Sequence, residues 1–193
     1  MRINNFKKKL SITFYVFLFT ANAIAAEEIK FDTVHKNEMY EIRHYSERLV
    51  AQTIDNNDSG TFRKLFDYIS GANNSLEKIE MTTPVTQIKQ DNVSFMQFHL
   101  PSKFNRKTTP IPSNLNVKII TIKEGYFAVI RFSGRSSHKN FKKYSKILHE
   151  KLVEDKILIN GFVIKATYNP PFTLPSFRRN EVMFNVMWKN STQ

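Results

Sequence analysis

Apolar and polar residues alternate with two periods along this chain, and the switches between them mark out its elements. Residues 10–19 (LSITFYVFLF) are almost continuously apolar; they follow Arg2, Lys7, Lys8 and Lys9 with no acid, and precede Ala21, Ala23, Ala25 and Ala26. That order is that of a secretory signal peptide, with Ala23 and Ala25 at −3 and −1 and cleavage expected between Ala25 and Ala26. The apolar run is too short to span about 30 Å of hydrocarbon as an uncleaved anchor. From Glu38 onward, 39–45 and 48–55 read as strands joined at Ser46-Glu47. Residues 61–70 then place Phe62, Leu65, Phe66 and Ile69 on one helical face, with Asp58 or Ser59 as cap and Gly71 as terminator. Strands at 83–89 and 93–100 turn at Gln90-Asp91-Asn92.

After a linker at 101–112 the order recurs. Strands at 116–123 and 126–132 flank Glu124-Gly125. A helix capped by Ser136 or Ser137 carries Phe141, Tyr144, Leu148 and Leu152 on one face, and 161–168 and 181–188 close the set. The pattern is β-β-α-β-β twice. It predicts an α+β fold in which eight antiparallel strands form a distorted barrel with two helices against it. The expected organisation is a signal peptide at 1–25 and a single domain at 26–193.

Composition narrows the chemistry. The 193 residues are 41% hydrophobic and 24% charged, as in globular proteins, and include no cysteine. Disulfides, thiolate catalysis, zinc–thiolate sites, cysteine-held clusters and covalent c-type haem are therefore excluded. The formal charge is +12, and loss of the four signal-peptide cations leaves the rest of the chain basic. No G-x-S-x-G, H-E-x-x-H, Walker or dinucleotide glycine pattern occurs, so the reading is a binder and not an enzyme.

Three stretches are more specific than periodicity: Tyr40-Glu41-Ile42-Arg43-His44-Tyr45, Lys78-Ile79-Glu80-Met81-Thr82-Thr83-Pro84-Val85, and Tyr168-Asn169-Pro170-Pro171-Phe172-Thr173-Leu174-Pro175 running into Arg178-Arg179-Asn180-Glu181-Val182. In this order and spacing they resemble the SOUL haem-binding family over about residues 38–188. The resemblance implies a pseudo-twofold barrel and non-covalent binding of haem or another tetrapyrrole in a shallow apolar site. By the same resemblance, His44 is the candidate axial ligand. Phe62, Leu65, Phe66 and Ile69 of the first helix, with Phe172, Leu174 and Phe177 of the last loop, form the expected apolar wall. Arg178 and Arg179 are the expected partners of the ligand's carboxylates. Asp67 stands where the resemblance implies a lysine near a propionate, and Lys64, one turn earlier, is the expected substitute. Glu181 is read either as a pocket acid or as the partner of Arg178, Arg179 or Arg43.

Of the other histidines, His138 and His149 fall on a lysine-rich helix and read as solvated, and His99 alternates away from Phe98 and Leu100. The expected location is the bacterial envelope, periplasmic or secreted. No nucleic-acid partner is expected. An alternative reading is a cofactor-free interaction module, its Lys139, Lys142, Lys143, Lys146 and Lys151 approaching anionic lipid or lipopolysaccharide.

Overall fold

A computed structural model of the chain describes residues 26–55 and 59–189. The expected signal peptide and the alternative helix cap Asp58 lie outside the described residues. Strands β1 (Glu27–Glu28) and β2 (Asp32–Lys36) lead into β3 (Glu41–Tyr45), β4 (Arg48–Ile54), α1 (Ser59–Ile69), β5 (Thr82–Thr83), β6 (Val85–Gln90) and β7 (Val93–His99). The second half comprises β8 (Lys118–Ile122), β9 (Gly125–Phe132), α2 (His138–Glu154), β10 (Leu158–Ile159), β11 (Ile164–Thr167), a 3-10 turn at Pro175–Phe177 and β12 (Asn180–Met187). All eight expected strands and both helices are present. The sequence pattern missed β1, β2, β5 and β10, which are short and carry no sustained alternation.

The main sheet has ten strands in the order β2-β3-β9-β12-β11-β6-β7-β4-β8, with β10 also on β12. Every pairing in it is antiparallel. Its path ends at β2 on one side and β8 on the other, so the expected barrel is an open, curled half-barrel. The expected repeat is visible in the strand order. Exchanging β3, β4, β6 and β7 with β8, β9, β11 and β12 maps the order β3-β9-β12-β11-β6-β7-β4-β8 onto itself reversed. The pseudo-twofold axis thus passes between β11 and β6.

Register assigns every side chain to one of two faces, because directly opposed residues project to the same side. Phe132, Asn180, Thr167, Val85, Phe98 and Ala51 lie side by side across six strands. This face carries both helices. α1 packs on β4 and β7 and α2 on β9, β12 and β10. Leu65, Tyr68 and Ile69 are buried with Leu49, Ala51 and Phe98 under α1, and Phe141, Leu148 and Leu152 with Ile42, Ala128, Ile130 and Val182 under α2. Ser137 is the α2 cap, its side chain accepting from the Asn140 N–H at 3.3 Å. Gly71 ends the turn after α1 at φ +113°, a conformation that favours a residue without a Cβ. The opposite face lines the inside of the half-barrel and carries Arg43, Arg48, Thr86, Gln97, His99 and Glu181 among apolar residues.

Candidate functional site

Between the two helices lie β6 and β11, the strands at the pseudo-twofold axis. Their residues on the helix-bearing face, Val85, Gln87, Lys165 and Thr167, are half-buried or partly covered. At one end of this strip, residues 168–179 form the loop from β11 to β12. Phe172, Leu174 and Phe177 are 87%, 63% and 75% exposed there, outside the half-barrel. On the other flank α1 presents Phe62 and Phe66, 42% and 47% exposed, with ring centroids 6.1 Å apart and nearly parallel planes. Phe62 also packs edge-on against Phe98, at 5.1 Å. Phe98 is two strands from Thr167, where the loop begins, a separation of about 10 Å at normal strand spacing. Loop and helix therefore flank one strip of sheet.

The α1 residues divide. Leu65 and Ile69, expected in the ligand wall, are 0% and 5% exposed and belong to the core beneath the helix. Phe62, Phe66 and the partly covered Lys64 remain accessible, and Asp67 points to solvent. The cavity of about 430 Å³ beside the loop is lined by Phe172, Thr173, Leu174, Pro175 and Arg178, together with Arg135, Ser136 and Ser137 before α2. None of its walls comes from α1.

The two arginines are committed elsewhere. Arg178 Nε donates to the Thr173 carbonyl at 2.7 Å and its Nη2 donates to the Pro171 carbonyl, so this side chain braces the loop. Arg179 lies over the Tyr168 ring, 3.7 Å from its centroid. Its Nε meets Glu181 at 2.9 Å and its Nη2 meets Glu28 at 2.8 Å. Glu181, fully buried, also receives Arg43 at 3.0 Å and the Tyr168 hydroxyl at 2.7 Å. Burial and the adjacent carboxylate hold the Tyr168 hydroxyl protonated, far above its usual pKa. Burial alone would lower the Arg43 pKa, but the Glu181 carboxylate outweighs it and raises it, so Arg43 stays cationic. Glu181 is thus the centre of an internal ion cluster, the second of its two sequence readings. Arg179 is thus engaged by Glu181 and Glu28, and Arg178 by the loop's own carbonyls through Nε and Nη2. Lys165, which the sequence analysis passed over, stands on the strip with Nζ 5.8 Å from the Phe141 ring. Its alternation with Ile164 and Ala166 was the available signal.

His44 does not join the loop. It opposes Tyr126, with rings 5.0 Å apart, whereas the loop enters β12 at Asn180 opposite Phe132. Those positions are six residues apart along β9, about 20 Å. The expectation of His44 as axial ligand in the loop site therefore meets a geometric obstacle: both lie on the same face but at opposite ends of the sheet. His99 is buried inside the half-barrel, and His35 packs on Trp188 at 5.3 Å. His138 begins α2 directly after Ser137 at the loop cavity and is exposed. Among the described residues no group of three or more His, Cys, Asp or Glu could hold a metal ion.

The family described as SOUL heme-binding protein matches residues 26–185. The chain belongs to the SOUL family. It is 31% identical over 157 residues to proteins named Heme-binding protein 2 of Mus musculus and Homo sapiens, covering 74% of this chain and 76% of each relative. Among solved structures, the EcmrR C-terminal domain is similar with a TM-score of 0.58 at 11% identity, over 77% of this chain and 96% of that one. A Listeria innocua protein called a hydrolase, encoded by lin2189, gives 0.57 at 9% identity, over 77% and 92%. At these identities the likeness is one of fold. SOUL is a haem-binding family not known as enzymatic. Against that chemistry, Phe62, Phe66, Phe172, Leu174 and Phe177 are exposed apolar side chains of the kind the face of a macrocycle would meet. They supply no iron bond from His44 at that place.

Proposed function

We propose that this SOUL protein reversibly binds a haem-like tetrapyrrole or another flat amphiphile on the strip between α1 and the 168–179 loop, without chemistry of its own. The observation that carries the reading is the exposure of Phe172, Leu174 and Phe177 on an arginine-braced loop, together with that of Phe62 and Phe66 on α1. Large apolar side chains left exposed in this number mark an interaction surface. Bound haem would supply an iron centre; this chain's part is to cover one face of the ring, with Lys64 and Lys165 as the cations nearest the strip. Burying roughly 300 Å² of apolar surface at about 25 cal/mol/Å² is worth on the order of 7 kcal/mol, and association costs at least about 4 kcal/mol. An apolar groove without an iron bond is therefore a weak site. We place the protein in the bacterial envelope, periplasmic or secreted, on the strength of the signal-like pattern of residues 1–25.

The test is a titration of purified protein with haemin and with protoporphyrin IX, read by the Soret band and by porphyrin fluorescence. Saturable binding of both is expected, weakened at least about tenfold by Phe172→Ser with Phe177→Ser and unchanged by His44→Ala. Binding of haemin alone that disappears in His44→Ala would move the site to the far end of β9. No saturable binding of either favours a second reading, in which the exposed Lys139, Lys142, Lys143 and Lys146 of α2 dock on anionic lipid or lipopolysaccharide. That reading requires vesicle binding that falls as salt rises.

A further inference from the structure

The inside of the half-barrel holds three arginines, and they are not treated alike. Arg43 and Arg179 share Glu181. Arg48, the first residue of β4, has no carboxylate partner among the described residues. Its guanidinium lies over the rings of Tyr45 and Phe127, 4.8 and 5.2 Å from their centroids. One Nη1 donates to the Ser46 carbonyl at 3.4 Å, and Nε is buried with no hydrogen-bond partner. Burial lowers the Arg48 pKa to about 10, which leaves it cationic at neutral pH. A half-buried charge without a counter-charge still carries a desolvation cost, here concentrated on the buried Nε.

His99 is the second incomplete group. It is 4% exposed, its Nε2 is 3.3 Å from Thr86 Oγ1, and its Nδ1 is buried without a partner. Burial, reinforced by the Arg48 charge, lowers its pKa to about 3, so the ring is neutral. From Thr86 the chain of contacts continues to Gln97 Oε1 at 3.0 Å, and Gln97 Nε2 donates to Gln52 Oε1 at 2.7 Å. Rotating the Thr86 hydroxyl and turning both terminal amides reverses the direction of this chain. His99 Nδ1 can therefore present either a lone pair or a proton to whatever lies against it.

Arg48 and His99 both border the same two adjoining spaces. One, of about 290 Å³, also touches Leu49, Leu100 and Phe104 and opens past the exposed Ser46, Glu47 and Ser102. The other, of about 110 Å³, is walled by Ile88, Ile122, Phe127, Ile164 and Met183. A charged donor and a switchable ring nitrogen thus stand at the entrance of an apolar recess. Glu27, an acid of the lining, accepts from the Ser102 N–H at 3.1 Å, and neither it nor Glu47 forms an ion pair with Arg48 among the described residues.

We infer that the inside of the half-barrel is a second binding site, which takes a monocarboxylate bearing a short apolar tail, its head on Arg48 and His99 and its tail in the recess. Arg48 supplies the charge and the Nε–H, and the His99 ring in its Nδ1–H form supplies the second donor. Arg48 and His99 are on the opposite face of the sheet from the aromatic strip, and the site does not depend on the reading of that strip. A cation is repelled by Arg48, a neutral alcohol gains no charge pairing, and a dianion costs more to desolvate in these apolar walls.

The experiment is calorimetric titration of purified protein at neutral pH with octanoate, 1-octanol and octylammonium. Saturable octanoate binding is expected, with octanol at least tenfold weaker and octylammonium not bound. Arg48→Met, which keeps the apolar stem and removes the buried charge, is expected to fold, as checked by circular dichroism, and to lose at least tenfold in octanoate affinity. Nitrogen chemical shifts of His99 should report Nδ1–H in the octanoate complex. Equal affinity for octanoate and octanol, undiminished binding by folded Arg48→Met, or the absence of octanoate binding would each overturn the assignment. Tetrapyrrole titration of Arg48→Met separates the two sites, since the strip contains no part of Arg48.

Discussion

Glu181 is fully buried yet is met by two arginines and a phenol, so every strong acceptor position on it is used. Removing its charge while keeping its shape leaves Arg43 with only Glu41, at 2.8 Å, and Arg179 with only Glu28, and takes away the one carboxylate they share. Glu181→Gln should destabilise by about 3 kcal/mol or more, measured as a lower urea midpoint with unchanged slope. His99 makes a different prediction, on pH. Its native pKa is depressed from 6.5 to about 3, so the unfolded chain takes up a proton first as pH falls. The stability this histidine contributes is complete above about 6.5 and is lost by about 1.4 kcal/mol per pH unit between there and about 3. A urea-midpoint profile from pH 7 to 4 should fall more steeply in the native protein than in His99→Leu. The sequence offered Arg178, Arg179 and Arg43 as partners for Glu181 without a means to choose among them, and it did not bring His99 to Arg48 or Thr86. Arg43 and Glu181 are 138 residues apart and meet only because β3 and β12 both pair with β9 in the observed register. A one-residue slip of either strand would put one of them on the helix-bearing face.

At the scale of elements, what could be read was what repeats. The two amphipathic helices, their Ser137 cap and Gly71 terminator, and the eight longer strands all announce themselves by period and punctuation. The α1 stripe shows where such reading stops. Phe62, Leu65, Phe66 and Ile69 have the same spacing, yet Leu65 and Ile69 are buried where α1 packs on β4 and β7 while both phenylalanines stay more than 40% exposed at the edge of that contact. Strand β1 was invisible because it is two residues long and pairs with another two-residue strand, β5, through Glu27 opposite Thr82 and Glu28 opposite Thr83. It nevertheless ties the start of the described chain to the core. Glu28 pairs with Arg179, the Ile29 N–H donates to the Thr83 carbonyl at 3.1 Å, and Ile29 lines both interior spaces. Deleting residues 26–29 should cost on the order of 2 kcal/mol in denaturant unfolding, chiefly from exposing the surface that Ile29 covers. Glu28→Gln alone should cost less, because that ion pair is partly solvated.

Across the whole molecule, one sheet separates two environments. The three sequence stretches that mark the family contribute mainly to its inner side: Arg43 and Tyr45 from the first, Thr82 from the second, Tyr168, Arg179 and Glu181 from the third. The aromatic strip on the outer side depends on the same stretches indirectly, because Arg178 and Asn169 shape the loop that displays Phe172 and Phe177. Asn169 Oδ1 accepts from the Arg179 N–H at 2.6 Å, linking the loop to the ion cluster by one residue. Val85 and Thr86 are neighbours in β6, yet one floors the strip and the other holds His99, so the two proposed ligands would be separated by a single layer of backbone. That layer is paired on both sides, to β7 and to β11, and cannot shift without breaking a ladder. The sites should therefore be occupied together and nearly independently. Saturating octanoate should change the affinity for protoporphyrin IX by less than about threefold, a coupling under 1 kcal/mol. Competition between the two would mean that they share one site, and Arg48→Met would then weaken both by the same factor.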